Sequence, residues 1–202
     1  MTTTHILMGA AISSRPGFKP YQIMLAWLGG FIPDASIFLM VAYSRFADVS
    51  GAGLWRAPNG LYWQEPWQFF SAVSNSIPMW ITLCVLGWFL FKRQDALKTI
   101  GLSLLIFSSA ALVHVLVDFA THARDAHVHF WPLTDWRFHS PISYYDPAFH
   151  GKIVGTFEAI MGLGIITYLV INYKNWPVRI LSVLFAAPYF LSAWFILNGT
   201  FG

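Results

Sequence analysis

Five long apolar runs constrain this chain more than any other feature of its sequence. They cover about Tyr21–Phe46, Trp67–Phe91, Leu97–Ala120, Ile153–Asn172 and Val178–Leu197. A helix needs roughly 20 apolar residues to cross the ~30 Å hydrocarbon core of a bilayer. A sixth, shorter run, Thr3–Ser14, would form a helix of only about 18 Å at ~1.5 Å per residue. The sequence therefore predicts an all-α, polytopic integral membrane bundle with about five transmembrane helices plus a short N-terminal helix.

The composition supports a membrane protein and argues against nucleic-acid binding. Hydrophobic residues make up 56% of the chain and charged residues 10%, whereas about 25% of the residues in soluble domains are charged. The net charge is +3, but the basic residues fall in short clusters between apolar runs and not on one soluble face. Cys84 is the only cysteine, which excludes a disulfide framework and a thiolate metal site. We predict a single domain over residues 1–202.

The loops sort onto two faces if the short first segment also crosses the membrane. One face carries seven basic residues against the single acidic residue Asp95: Arg15, Lys19, Lys92, Arg93, Lys98, Lys174 and Arg179. The other face carries two longer loops, Ala47–Pro66 and Thr121–Lys152, which are rich in Trp, Tyr, His and Asp. The positive-inside rule makes the basic face cytoplasmic, so we predict that the long loop at 121–152 lies outside.

Ionisable residues interrupt the apolar runs at one depth. His114 and Asp118 are four residues apart, so they share one face of a helix. Four further polar residues fall in the same half of the bilayer: His5, Asp34, Asn75 and Glu158. A charged side chain in a membrane is costly and usually functional or paired. A structural His–Asp hydrogen bond explains one pair alone, but groups from several helices at one depth predict a shared polar cluster.

The long outer loop is too rich in histidine to be a plain connector, and its length suggests a function. His122, His129 and His150 are candidate metal ligands or acid–base groups. His127 and His139 are expected to be ordinary exposed histidines. Asp125 is expected to be a solvated loop charge, with the orientation of a histidine as the alternative. Imidazoles and carboxylates without cysteine suit Zn, Mn or non-haem Fe, although a proton relay uses the same residue types.

Four motifs in the same order resemble the bacterial membrane-bound metal-dependent hydrolase family, the YdjM-like or DUF457 proteins. They are THILMGA near the start, GGFIPD at Gly29–Asp34, HVLVD at His114–Asp118 and HFWPL at His129–Leu133. That family is similar in turn to the zinc-dependent phospholipase C and S1/P1 nuclease superfamily of all-helical enzymes. The resemblance implies a divalent metal, with Zn ahead of Mn or Fe, and it implies four ligands: His5, Asp34, His114 and Asp118.

The chain departs from the family pattern between Asp34 and the pair His114 and Asp118. The family carries an HRG-x-THS stretch there, whereas this chain has no histidine between His5 and His114. The missing ligand would then be replaced by Gln64, Glu65 or Asn75, or the site would hold fewer ions.

Two functions from different classes remain open from the sequence. The first is a membrane-embedded metal-dependent hydrolase that acts on a lipid or lipid-linked phosphoester near the membrane surface, with Glu158 and His150 as general acid and base. The second is a non-enzymatic integral membrane protein, either a metal or proton carrier or an assembly partner, that uses the same cluster. Membrane lipid is the expected partner, and no oligomeric state is indicated. The expected location is the bacterial inner membrane, with the metal site toward the outer face.

Overall fold

The computed structural model describes residues 1–93 and 96–190, and this part of the chain is helical without any strand. The helices are α1 (Thr2–Ser13), α2 (Pro20–Phe31), α3 (Ala35–Phe46), α4 (Ala52–Trp55), α5 (Trp67–Ser74), α6 (Ile77–Phe91), α7 (Leu97–Thr121), α8 (Gly151–Asn172) and α9 (Trp176–Leu184). Short 3-10 turns occur at Ile32–Asp34, Leu61–Trp63 and Pro147–Phe149. The all-α prediction is therefore confirmed for the described residues.

Within the described residues, three helical stretches are long and apolar enough to cross a membrane. They are Pro20–Phe46, Leu97–Thr121 and Gly151–Asn172. Helices α5 and α6 make a fourth if the 43° bend between them lies within one span. The predicted fifth run, Val178–Leu197, corresponds to the shorter apolar segment Trp176–Phe190, and its last residues lie outside the described part of the chain. The predicted number of five spans is therefore not confirmed.

Close packing of α1 against α2 sets the position of the polar cluster. A Cβ atom added at Gly30 would lie 2.6 Å from the carbonyl oxygen of His5, and one added at Gly9 would lie 2.7 Å from that of Ala26. Small residues such as glycine let two helix backbones approach this closely. The pairing runs antiparallel, and it places the backbone of His5 directly against α2, one turn before Asp34.

The loop that follows α7 is held to the helices by hydrogen bonds. The Ser76 hydroxyl donates to the carbonyl of Trp131 at 2.5 Å. The Arg137 guanidinium donates to the carbonyl of Ala126 at 2.6 Å and to the Gln68 side chain on α5 at 2.8 Å. These contacts fold the loop back over the end of α7 and bring its histidines toward α5.

Candidate metal centre

Helix α7 supplies the centre of the site. His114 and Asp118 are at most 1% exposed, and His114 Nε2 lies 2.9 Å from Asp118 Oδ2. On the other side of the ring, His114 Nδ1 lies 2.7 Å from the carbonyl oxygen of Gly30. A carbonyl can only accept, so Nδ1 carries a proton and donates it. Nε2 is thereby turned toward the carboxylates, which is how proteins orient a metal-binding imidazole.

The second oxygen of Asp118 faces two more imidazoles. Asp118 Oδ1 lies 3.5 Å from His5 Nε2 and 3.3 Å from His122 Nε2, yet it has no hydrogen-bond partner among the described residues. Asp34 Oδ1 lies 3.7 Å from His114 Nε2. Two ligand atoms bound to one tetrahedral Zn²⁺ stand ~3.4 Å apart, because Zn–N and Zn–O bonds are about 2.0–2.2 Å long. These separations suit ligands around a shared cation better than hydrogen bonds.

The ligand atoms form two groups that could each hold a metal ion. One triad is His5, Asp34 and His114, and the other is Asp118, His122 and His127; within each, the ligand atoms lie within 4.8 Å of one another. Asp118 also contacts His5 and His114 of the first triad, so it stands between the two. Three protein ligands with an open fourth position are typical of catalytic zinc sites. The residues present therefore fit one or two divalent ions.

Further side chains orient the histidines of the second triad. Asp125 Oδ2 lies 2.9 Å from His122 Nδ1, and His127 Nδ1 lies 3.2 Å from the Tyr62 hydroxyl and 3.1 Å from the Ser71 hydroxyl. In both histidines the Nδ1 atom thus faces a protein group, and the Nε2 atom is left to bind. A carboxylate or hydroxyl partner of this kind fixes the ring and raises the basicity of the ligand.

His129 is arranged in the same way but belongs to neither triad. It is 1% exposed, and its Nδ1 lies 3.1 Å from the carbonyl oxygen of Asn75. Its Nε2 has no hydrogen-bond partner among the described residues. The rings of His127 and His129 lie 5.8 Å apart, so this predicted ligand adjoins the second triad.

The two loop histidines of the second triad differ in charge. Burial disfavours the charged form of His122, but Asp118 and Asp125 outweigh burial and raise its pKa to about 10. Burial and the neighbouring His122 lower the pKa of His127 to about 3. The metal-free protein therefore holds a charged and a neutral imidazole side by side, and only the neutral form binds a metal.

A cavity of about 530 Å³ opens over the two triads. Its floor contains ligands of both, and its walls include Ile37, Phe38, Trp55, Trp63, Arg124, Tyr144 and Tyr145. The ring of Tyr144 lies 5.2 Å from that of His122. Pockets of this size, with apolar walls and a few convergent polar groups, are typical of small-molecule sites.

The structure brings together most of the predicted ligands but not the predicted acid–base groups. His5, Asp34, His114, Asp118 and His122 all belong to the two triads or contact them. Glu158 and His150 do not line the cavity in the described part of the chain. Glu158 contacts α1, and His150 is exposed at the start of α8. Their catalytic roles stay predictions.

Two expectations for the outer loop were wrong. His127 was expected to be exposed but is 2% exposed, because Tyr62 and Ser71, which are remote in sequence, cover it. Asp125 was expected to be a solvated charge, yet it is partly buried and lies beside His122. The alternation His127–Val128–His129 in the sequence could have indicated that both imidazole rings belong to the site.

The substitutes considered for the missing central histidine lie in different places. Gln64 and Glu65 are exposed, and the Asn75 amide donates to the carbonyl of Ser71 at 3.0 Å. The third ligand of the second triad comes instead from His127, after α7 and not before it.

Comparisons of the chain with family models, with curated proteins and with solved structures found no match. The resemblance described above therefore stays an expectation. The two triads and the cavity above them are therefore the features of this chain that indicate a function.

Proposed function

We propose that this chain is a membrane-embedded metal-dependent hydrolase that cleaves a lipid or lipid-linked phosphoester. The observation that carries the proposal is the pair of buried His/Asp triads around Asp118 at the floor of an open cavity. A divalent ion held by these residues would lower the pKa of a bound water and neutralise charge on phosphoryl oxygens.

The chain's own residues support an anionic, amphiphilic substrate. Arg124 lines the cavity, and its largely exposed side chain lies 3.1 Å from Asp146. A guanidinium at the rim can exchange such a partner for a phosphate oxygen. Phe38 and Trp55 line the cavity and are about half exposed, and they provide an apolar surface for a hydrocarbon chain.

The surface of α3 supports a lipid as the source of that chain. Phe38 belongs to the apolar stretch Pro20–Phe46, and two neighbours on this helix, Leu39 and Phe46, are 66% and 90% exposed. Apolar side chains exposed on a long apolar helix are expected to face lipid. The cavity thus adjoins a surface that a membrane would cover.

We further propose that the chain is polytopic, with up to five crossings, and lies in a bacterial inner membrane with the metal centre toward the outer face. The basic residues Arg15, Lys19, Lys92 and Lys174 are exposed at the ends of helices remote from the triads. The positive-inside rule supports the proposed orientation.

The test uses the purified protein in detergent, with metal content measured by mass spectrometry and hydrolysis measured on bis-p-nitrophenyl phosphate and on phospholipid vesicles. Asp34→Asn removes a ligand that is not fully buried, and His139→Gln changes an exposed histidine as the matched control. We expect Asp34→Asn to reduce metal-dependent hydrolysis at least 100-fold and the control to leave it unchanged. Hydrolysis that survives both Asp34→Asn and chelation would overturn the proposal. If the protein binds metal but hydrolyses neither substrate, the result would favour the alternative function, a non-enzymatic metal carrier.

A further inference from the structure

A largely buried polar cluster outside the metal centre joins α1 to α8. We name it the Thr4 cluster; it consists of Thr4, Glu158 and Tyr189. The Thr4 hydroxyl, which is fully buried, lies 2.5 Å from Glu158 Oε1 and 2.6 Å from the Tyr189 hydroxyl. A carboxylate accepts, so Thr4 donates to Glu158 and accepts from Tyr189. The Tyr189 ring packs directly on Gly162 of α8, where any side chain would displace it.

The first turn of α1 connects this cluster to the metal centre. Next to Thr4 in sequence is His5, a member of the first triad, and the Thr2 hydroxyl donates to Asp34 Oδ2, a second member. One helical turn thus presents one candidate ligand and orients another. A displacement of this turn would disturb both.

Helix α1 needs such support because it is short and uncapped. It has 12 residues, and none of the described side chains caps its N-terminus by a hydrogen bond. Glu158 Oε1 lies 3.2 Å from the Met1 ammonium at the same end. Isolated helices of this length are marginal, so tertiary contacts must hold them. Gly9 and Gly30 press α1 against α2 on one side, and the Thr4 cluster holds it to α8 on another.

We propose that Glu158 is a positioning residue which, through Thr4, holds the first turn of α1 so that His5 and Asp34 face His114. Only the first triad uses α1. The second triad lies at the end of α7 and in the loop that follows it. Loss of the Glu158 contact therefore weakens one ion site and spares the other. This inference depends on the metal binding proposed above.

The experiment measures the affinity for each of the two ions separately. Stepwise Zn²⁺ affinities of the purified protein in detergent are obtained by competition with a chromophoric chelator, and thermal unfolding of the metal-free protein is recorded alongside. Glu158→Ala and Thr4→Val both break the contact between these two residues. We expect each variant to lower the affinity for one of the two ions by about 10–100-fold, which is the usual effect of losing a group that supports a ligand. The other ion keeps its affinity to within about threefold.

Two variants separate positioning from other roles. Glu158→Gln removes the charge, and with it the ion pair to the Met1 ammonium at 3.2 Å, but keeps an oxygen that accepts from Thr4. Because the inference assigns the positioning to Thr4, we expect near-wild-type affinities for both ions. Thr167→Val is the matched control, because Thr167 is an exposed residue of α8 that bonds only within its own helix, at 2.9 Å from the carbonyl of Leu163.

The outcomes distinguish this inference from the proposed function. Wild-type protein that binds no divalent ion overturns the proposed function and this inference with it. This inference alone is overturned if Glu158→Ala lowers the affinities for both ions equally or leaves both affinities unchanged. It is also overturned if Glu158→Gln shows the same loss as Glu158→Ala, because the ion pair of Glu158 with the Met1 ammonium, and not the Thr4 hydrogen bond, would then hold the turn. Full metal binding with loss of hydrolysis in Glu158→Gln would instead make Glu158 an acid–base group.

Discussion

Asp118→Asn is the sharpest perturbation that the site offers. The Asp118 carboxylate lies 2.9 Å from His114, 3.5 Å from His5 and 3.3 Å from His122. Asparagine keeps the shape and removes the charge. Because His114 Nδ1 donates to Gly30, the Nε2 of a neutral His114 is an acceptor, and the new amide can donate to it. The metal-free variant is therefore expected to unfold near the wild-type temperature, because the amide keeps a hydrogen bond to His114 and the charged His122 keeps Asp125 as its partner at 2.9 Å.

The metal-loaded variant is expected to lose most of the stabilisation by metal. A ligand present at 1,000 times its Kd stabilises the folded state by about 4.1 kcal/mol. A 100-fold loss of affinity, from removal of an anionic oxygen, leaves about 1.4 kcal/mol at the same concentration. The difference of about 2.7 kcal/mol corresponds to ~5–11 °C, at about 2–4 °C per kcal/mol for a chain of this size.

The assay is thermal unfolding of wild type and variant, each with Zn²⁺ and with chelator. A purely structural His–Asp pair predicts a different pattern. Removal of the carboxylate would then strand a buried imidazolium at a cost of about 3–5 kcal/mol, with or without metal. A wild type that is indifferent to chelator, together with a variant that is destabilised by that amount in chelator, would refute the metal site.

Three further predictions concern the outer loop. Asp125→Asn should lower the affinity of the second triad for its ion by about 10–100-fold, whereas Asp135→Asn, at an exposed position, should not. Equal effects of the two variants in a Zn²⁺ titration would show that Asp125 does not support the site. His127→Ala should lower the metal content by one ion per chain, and the exposed His139→Ala should leave it unchanged; two ions retained in His127→Ala would contradict the second triad. With the native cysteine replaced, a cysteine at Asp135 should react with an impermeant reagent from outside and one at Lys174 should not. The opposite labelling would invert the proposed topology.

The helices and the first triad could be predicted because local patterns determine them. The four-residue spacing of His114 and Asp118 puts both on one face of α7 whatever surrounds it. His5 and Asp34 could be placed in the same cluster because costly groups at a shared depth must satisfy one another. The structure brings all four together, with every named contact within 3.7 Å.

The rest of the site depends on contacts between remote segments, which periodicity does not reveal. His127 is buried because α5 and the turn Leu61–Trp63 lie over it, and nothing near His127 in the sequence shows this. Glu158 has the depth of a catalytic residue, but rotation of α8 turns it to Thr4 and not to the cavity. The sequence indicates how deep a residue lies in the membrane. The direction in which its side chain points around the helix depends on how the helices pack, and the sequence does not show this.

The charges of the cluster favour a metal-loaded site that attracts phosphate. Asp34 and Asp118 together carry about −2, and the four imidazoles of the two triads are neutral when they bind metal. Two divalent ions then leave the cluster at about +2, opposite to a phosphoester. Without metal, protons on the histidines offset the carboxylates that they contact, and Arg124 at the rim is already near Asp146. Inorganic phosphate should therefore inhibit the loaded protein competitively, and its binding, measured by calorimetry, should disappear on chelation. Phosphate binding of equal strength to the metal-free protein would show that Arg124 and its neighbours, and not the triads, form the anion site.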